Sequence, residues 1–291
     1  MNKLFGVLLS ASVLTLSACG KQEAPKNDAT APTEAGKEQV VTMASTGSDA
    51  DIWRFIADLP ETKQAGIKLE VKNFTDYVAM NTAVANQEVD INAFQSYAYL
   101  VAFNASNKNK IAPISTTYLE PMGIYSSKVK KVEEFTNGAT IAIPNDGANE
   151  SRALLLLQSA GLIKLKADFD FVKGTPADIT ENAKKIVIKP IQMATAVRAK
   201  NEVDAIILGN TLAMEGGLNV LNDAVYYEPV DQSTKMNVNI LAVSDARKND
   251  EILKKVGALY HVPAVGKYVQ EKFGGTKVDV NKPVSYLTES K

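Results

Sequence analysis

Apolar residues are spaced in three different ways along the chain. Leu4 to Leu16 is a run without a single charge, whereas "GKQEAPKNDATAPTEAGKE" (20–38) has no large apolar side chain. From Gln39 onward, short apolar runs of strand type alternate with longer segments of helical spacing. That alternation marks an α/β architecture. Strands are predicted over "VVTMAS", "IKLEVKNF" and "VDINAF", with helices over "DADIWRFIADL" and "DYVAMNTAVAN" between them. A second series has strands "ATIAIP", "KIVIKPI" and "VDAIILG" and helices "ESRALLLLQSAG" and "MATAVRAKN". "NVNILAVS" is a further strand, followed by helices over roughly Asp250 to Tyr260 and Ala264 to Phe273.

Two stretches repeat one pattern. "TAVANQEVDINAFQ" (Thr82 to Gln95) and "TAVRAKNEVDAIILGN" (Thr195 to Asn210) each run from a helix through polar residues and a Glu-Val-Asp step into a short apolar strand. Either this is chance similarity within an α/β protein, or each half of the chain is a small lobe with its own copy. Ligands of open α/β sheets sit beyond the carboxyl ends of strands, so Phe94 to Tyr99 and Gly209 with Asn210 become candidate walls of one cleft. About 250 folded residues suit two lobes better than one core. Pro121 and Gly123 break the extended run "STTYLEPMGIYSSK", which is expected to carry the chain outward, and "VYYEPVDQSTKMNVN" to bring it back. The lobes predicted are 39–119 with 226–291, and 120–225.

The apolar leader is too short to cross a bilayer core of roughly 30 Å as a helix, and reads as a signal peptide over 1–18. It ends in "LSAC", with small residues leading into Cys19, the only cysteine. Cleavage near Ala18 with an incidental cysteine is one reading; lipidation of Cys19 is the reading preferred, because "LSAC" resembles the lipobox of bacterial lipoproteins. Residues 19–38 then form a flexible tether, unable to bury enough surface to fold, with a typical reach near 25 Å. The folded part is expected to stand off a membrane, facing the periplasm or the cell exterior.

Charge and residue inventory narrow the chemistry. The formal net charge is −1, and loss of the leader removes Lys3 and leaves −2. No Lys/Arg cluster invites nucleic acid. His261 is the only histidine, so a nucleophile triad would have to use a residue that sits at a helix boundary, and a His/Cys zinc site lacks ligands. No phosphate-binding glycine loop is present. The chain reads as a non-enzyme without a cofactor, although a carboxylate pair in a cleft would reopen that question.

One residue departs from its local rule. In "PNDGANESRALLLLQ" (144–158), Asn149 is predicted as the helix N-cap, with Gly161 as the stop. That count puts Arg152 third in the helix, where the dipole opposes a cation by roughly 0.3–1 kcal/mol. Asp146 or Glu150 could pair with it. Alternatively, Arg152 and the helix N–H groups converge on an external anion, and without a phosphate loop a small carboxylate fits best.

These residues resemble a known family. "NFTDYVAMNTAVANQEVDINAFQSYAYL", "IPNDGANESRALLLLQSAGLIKL" and "ILGNTLA" together are similar to the NlpA/MetQ family of lipoproteins, the methionine-binding components of bacterial ABC importers, from about Val40 to the C-terminal helices. The resemblance implies a two-lobed periplasmic-binding-protein fold of the second type, closing over an amino acid and docking on permease and ATPase subunits. Arg152 and Asn149 match positions at the ligand's carboxylate, and Asn210 matches an asparagine at its backbone end. Tyr77 and Phe94 match aromatic positions near the side-chain pocket, where ordinary core packing is the alternative for each ring alone. Met122 is expected to help shape that pocket. Members that bind methionine commonly read "NAFQHKPYL" where this chain has "NAFQSYAYL", with Ser96 in place of the histidine. Methionine, a Met-containing dipeptide or another apolar amino acid therefore all remain open. A surface adhesin or structural lipoprotein using the same fold without a small ligand is the alternative function.

Overall fold

The computed structural model describes residues 38–229 and 232–288. The leader, Cys19 and the tether up to residue 37 lie outside the described residues. The first elements are β1 (Gln39–Ser45), α1 (Gly47–Asp58), the single turn α2 (Pro60–Gln64), β2 (Ile67–Asn73), α3 (Tyr77–Ala85), β3 (Ile91–Ser96), α4 (Tyr97–Ser106) and β4 (Ile111–Thr116). A short β5 (Tyr118–Leu119) leads to β6 (Met122–Tyr125), β7 (Thr140–Pro144), α5 (Gly147–Ser159), the two-stranded pair β8 (Lys164–Leu165) and β9 (Ile179–Glu181), then β10 (Val187–Ile191). Next come α6 (Met193–Ala199), β11 (Ala205–Gly209), α7 (Asn210–Glu215), α8 (Val220–Asp223) and β12 (Ala224–Tyr227). The chain closes with β13 (Asn239–Ser244), α9 (Glu251–Leu259), α10 (Pro263–Phe273) and β14 (Val278–Asp279).

The strands form two five-stranded sheets, ordered β2-β1-β3-β13-β4 and β10-β7-β11-β6-β12. Each has the same centre. β3 lies between parallel β1 and antiparallel β13, and β11 lies between parallel β7 and antiparallel β6. The repeated helix-strand pattern thus corresponds to the middle strand of each sheet and the helix before it.

Helices cover both faces of each sheet, so central strands read as nearly continuous apolar runs; all six residues of β13 are buried. Trp53 and Ile56 of α1, Val256 of α9 and Val265 of α10 pack on one face of the first sheet, and Met80, Val84, Leu100 and Phe103 from α3 and α4 on the other. In the second sheet the leucine run of α5 fills one face, with Leu154, Leu156 and Leu157 buried. Ala196, Ala213 and Val220 fill the other.

Two corrections to the sequence reading concern organisation. Tyr226 and Tyr227 still pair with Ile124 and Gly123, so the second sheet keeps these residues and the return crossing falls after 227 rather than at 226. Helix α4 and strand β4 were not anticipated. α4 follows β3 with no intervening loop, and only Gln95 and Ser96 stand between their apolar runs.

Candidate functional site

A cavity opens at the carboxyl ends of the two central strands. Ser96 at the end of β3 and Gly209 at the end of β11 both line it, together with Tyr77, Phe94, Asn149 and Arg152. The first-lobe wall is aromatic. Asp76 caps α3 by accepting from the Ala79 amide at 2.8 Å, which sets Tyr77 as the first helical residue. Its ring lies 5.1 Å from Phe94 and 6.2 Å from Tyr99, and Phe94 and Tyr99 meet edge to face at 5.8 Å. Ser96 caps α4, its hydroxyl accepting from the Tyr99 amide at 3.2 Å. The residue at the family's histidine position therefore serves to place the third ring. Gln95, which also lines the cavity, and buried Asn81 and Asn92 bond one another through four contacts of 2.6–3.0 Å, which fixes the direction of β3's end.

On the second-lobe side the N-cap of α5 is Asp146, not Asn149. Its carboxylate accepts from the Asn149 backbone at 3.2 Å and from Nδ2 of Asn149 at 2.9 Å, and burial pushes the Asp146 carboxyl up despite these bonds. Arg152 is therefore the sixth residue of the helix, beyond the reach of the end effect that singled it out. Its partner is neither Asp146 nor Glu150. Nε donates to both oxygens of Glu228 at 2.8 and 3.1 Å, and Nη2 donates to Glu228 Oε2 at 2.5 Å and to the Glu120 carbonyl at 2.8 Å. Glu120 lies on the outgoing crossing and Glu228 on the returning one, so the guanidinium ties α5 to both. The Met122 amide also donates to Glu228, at 2.9 Å. Burial works against the Arg152 charge, yet the Glu228 carboxylate holds it firmly protonated. Nη1 takes no part in the four bonds.

Two expected site residues lie elsewhere. Met122 is 1% exposed within the core of the second sheet, its side chain packed there instead of lining the cavity. Asn210 is fully buried just beneath the cavity: Nδ2 donates to Glu120 Oε2 at 3.0 Å and to Thr276 Oγ1 at 3.2 Å, while Oδ1 has no hydrogen-bond partner. Its neighbours Gly209 and Thr211 line the cavity.

Several lining residues were not anticipated. Asn239, opposite Ser96 in the β13–β3 register, is one, and Tyr99, Asp49, Glu120 and Thr211 are others. A polar residue, Asn239, at the start of the otherwise apolar run "ILAV" was the available signal; Asp49 and Glu120 gave none, because their partners are distant in sequence. Below them Lys277 donates to Asp49 Oδ1 at 2.9 Å, Glu120 Oε2 at 2.7 Å and Thr211 Oγ1 at 2.9 Å. Its ammonium stands 4.2 Å from the Tyr118 ring centroid. Burial opposes both Glu120 and Lys277 as charges, but their pairing keeps Glu120 below the usual carboxylate range and Lys277 above its ordinary value. Among the described residues no group of three His, Cys, Asp or Glu side chains could hold a metal ion.

The family model described as NlpA lipoprotein matches residues 40–281. A Pasteurella multocida protein named as a probable D-methionine-binding lipoprotein MetQ is 31% identical over 275 residues, covering 94% of this chain and 97% of the relative. A Burkholderia cenocepacia nutrient-binding protein solved bound to methionine has a TM-score of 0.78 at 32% identity, over 82% of this chain and 99% of that one. The substrate-binding protein of a methionine transporter from Streptococcus pneumoniae has a TM-score of 0.75 at 36% identity, over 83% and 95%.

Proposed function

The chain belongs to the NlpA lipoprotein family, and on that premise we propose that it is the lipid-anchored substrate-binding protein of an ABC importer, capturing methionine or a closely related amino acid or Met-containing dipeptide between two lobes. One observation carries the reading: a single cavity has the rings of Tyr77, Phe94 and Tyr99 on the first sheet's side and Arg152 with Asn149 of α5 on the second's. A ligand with an apolar side chain and a charged end meets both. Tyr77, Phe94 and Tyr99 suit a thioether, since sulfur packs favourably at aromatic edges. Arg152, through Nη1, and Asn149 take the carboxylate. The named relatives from Pasteurella multocida and Burkholderia cenocepacia favour methionine as the occupant.

Lobe opening and closing about the paired crossings at Glu120 and Glu228 admits and traps the ligand. Lipid on Cys19 keeps the protein beside permease and ATPase subunits, and the tether gives it reach. The test is mass spectrometry of small molecules retained through purification, followed by thermal melts with L-methionine, D-methionine and Gly-Met. A ligand at 100 times its Kd stabilises the folded state by about 2.7 kcal/mol, so the melting temperature rises. No shift with any of the three favours the adhesin reading.

A further inference from the structure

Asn81, Asn92 and Gln95 form a buried side-chain network whose members belong to the two elements that carry Tyr77 and Phe94. Asn81 stands one helical turn after Tyr77 on α3, and residues four apart share a helix face. Asn92 and Gln95 lie on either side of Phe94 on β3. Asn81 is the hub: its Oδ1 accepts from Gln95 Nε2 at 2.6 Å and from Asn92 Nδ2 at 2.8 Å, and its Nδ2 donates to Gln95 Oε1 at 3.0 Å. Gln95 Nε2 also donates to Asn92 Oδ1, at 2.7 Å. Asn81 and Asn92 are fully buried and Gln95 is 2% exposed.

The bond between Asn92 and Gln95 is out of reach in a regular strand, where side chains alternate and residues three apart point to opposite faces. The β13–β3 register accounts for it. Ile240 faces Gln95 and its neighbour Leu241 faces Ala93, so Phe94 is an extra residue, bulged out of the ladder. A bulge re-aims the side chains around it. Returning β3 to regular alternation would turn Gln95 and Ser96 to the other face, and Ser96 is the cap that starts α4 and with it sets the Tyr99 ring. Apolar packing alone tolerates such a slip more readily than a closed set of amide bonds, whose donors and acceptors fit one arrangement and are costly to leave unpaired.

We propose that the Asn81–Asn92–Gln95 network is a positioning element that locks the bulge at Phe94, sets Tyr77, Phe94 and Tyr99 against one another, and through those rings determines which ligand side chain the cavity accepts. The assignment rests on the reading of an amino-acid ligand in this cavity. Asn81 is the position at which to test it, since it takes part in three of the four bonds and is not one of the cavity's lining residues.

Calorimetry on the full chain compares L-methionine with L-2-aminobutyrate. The two share their charged ends, and the aminobutyrate side chain stops short by the sulfur and its methyl group. Asn81→Leu keeps the size of the residue and removes its three bonds. The expected result is L-methionine weakened by about tenfold or more, the lower end of what lost support for ligating groups costs at metal sites, with L-2-aminobutyrate changed by less than about threefold. The preference for the longer side chain then narrows. If Asn81→Leu does not fold, Asn92→Ala, which leaves the two Asn81–Gln95 bonds, decides by the same comparison. A lower melting temperature with the preference between the two ligands unchanged overturns the positioning role and leaves the amino-acid reading intact. No L-methionine binding by the unaltered chain overturns both.

Discussion

Arg152 both faces the cavity and pins the two crossings to α5. Removing it leaves Glu228 buried without its cation, and breaking a buried pair from one side costs about 3–5 kcal/mol. Arg152→Ala should lower the unfolding free energy by that amount in urea denaturation. Replacing both partners, Arg152→Met with Glu228→Met, should recover most of the stability while ligand affinity stays low; recovery of both would reduce Arg152 to a structural role. The sequence singled out this residue through a miscounted helix start, since "ND" at 145–146 and Asn149 are both good caps and only the bond to Asp146 decides between them. Tyr77, Phe94 and Ser96 were legible because they follow one short apolar strand or open a helix beside it. Asp49, Glu120 and Lys277 were not, because their meaning lies in contacts spanning 157 to 228 residues. His261 tests the electrostatics away from the site. Burial works against its charge, but the bond to Asp279 at 2.8 Å raises its pKa above the ordinary value. A raised folded value means stability is fully present below the unfolded pKa near 6.5 and is lost as pH rises through the folded one. With Asp279 half in water the contribution is under about 1 kcal/mol. Melting temperatures should fall slightly from pH 6 to pH 8.5, and His261→Gln should flatten that slope.

At the scale of elements, α1 and α7 meet at Gly47. This residue opens α1 with φ +48°, and a Cβ there would lie 1.7 Å from Glu215 Oε1. The Glu215 side chain can swing away, so the main cost of Gly47→Ala is the left-handed backbone, about 1–2 kcal/mol. Equilibrium unfolding should show that loss, and adding Glu215→Ala should not restore it; restoration would make the clash the dominant cost. The longer elements were mostly legible, since strand and helix periods differ sharply across β1 to β3 and across β7, α5, β10, α6 and β11, whereas the short β8 and β9 carried no such pattern. The repeated Glu-Val-Asp unit was more informative than either copy alone, because it located the middle strand of each sheet. Among the elements the pattern missed are β4 and α4, whose capping residue, Ser96, is also the last residue of β3.

For the whole molecule, Arg152 of α5 bonds both crossings, through the Glu120 carbonyl and the Glu228 carboxylate. The fold was legible from alternation, length and family resemblance together, whereas the charge balance of the cavity required the structure. In the function proposed above, this cavity binds an amino acid through both its charged end and its side chain. Calorimetric titration of the full chain with L-methionine tests it most directly, with Arg152→Met/Glu228→Met titrated alongside. The expected result is saturable one-site binding to the unaltered chain and a loss of several kcal/mol in the double variant. Equal affinity in the two proteins, or no heat with the unaltered chain after removal of retained ligand, would contradict it.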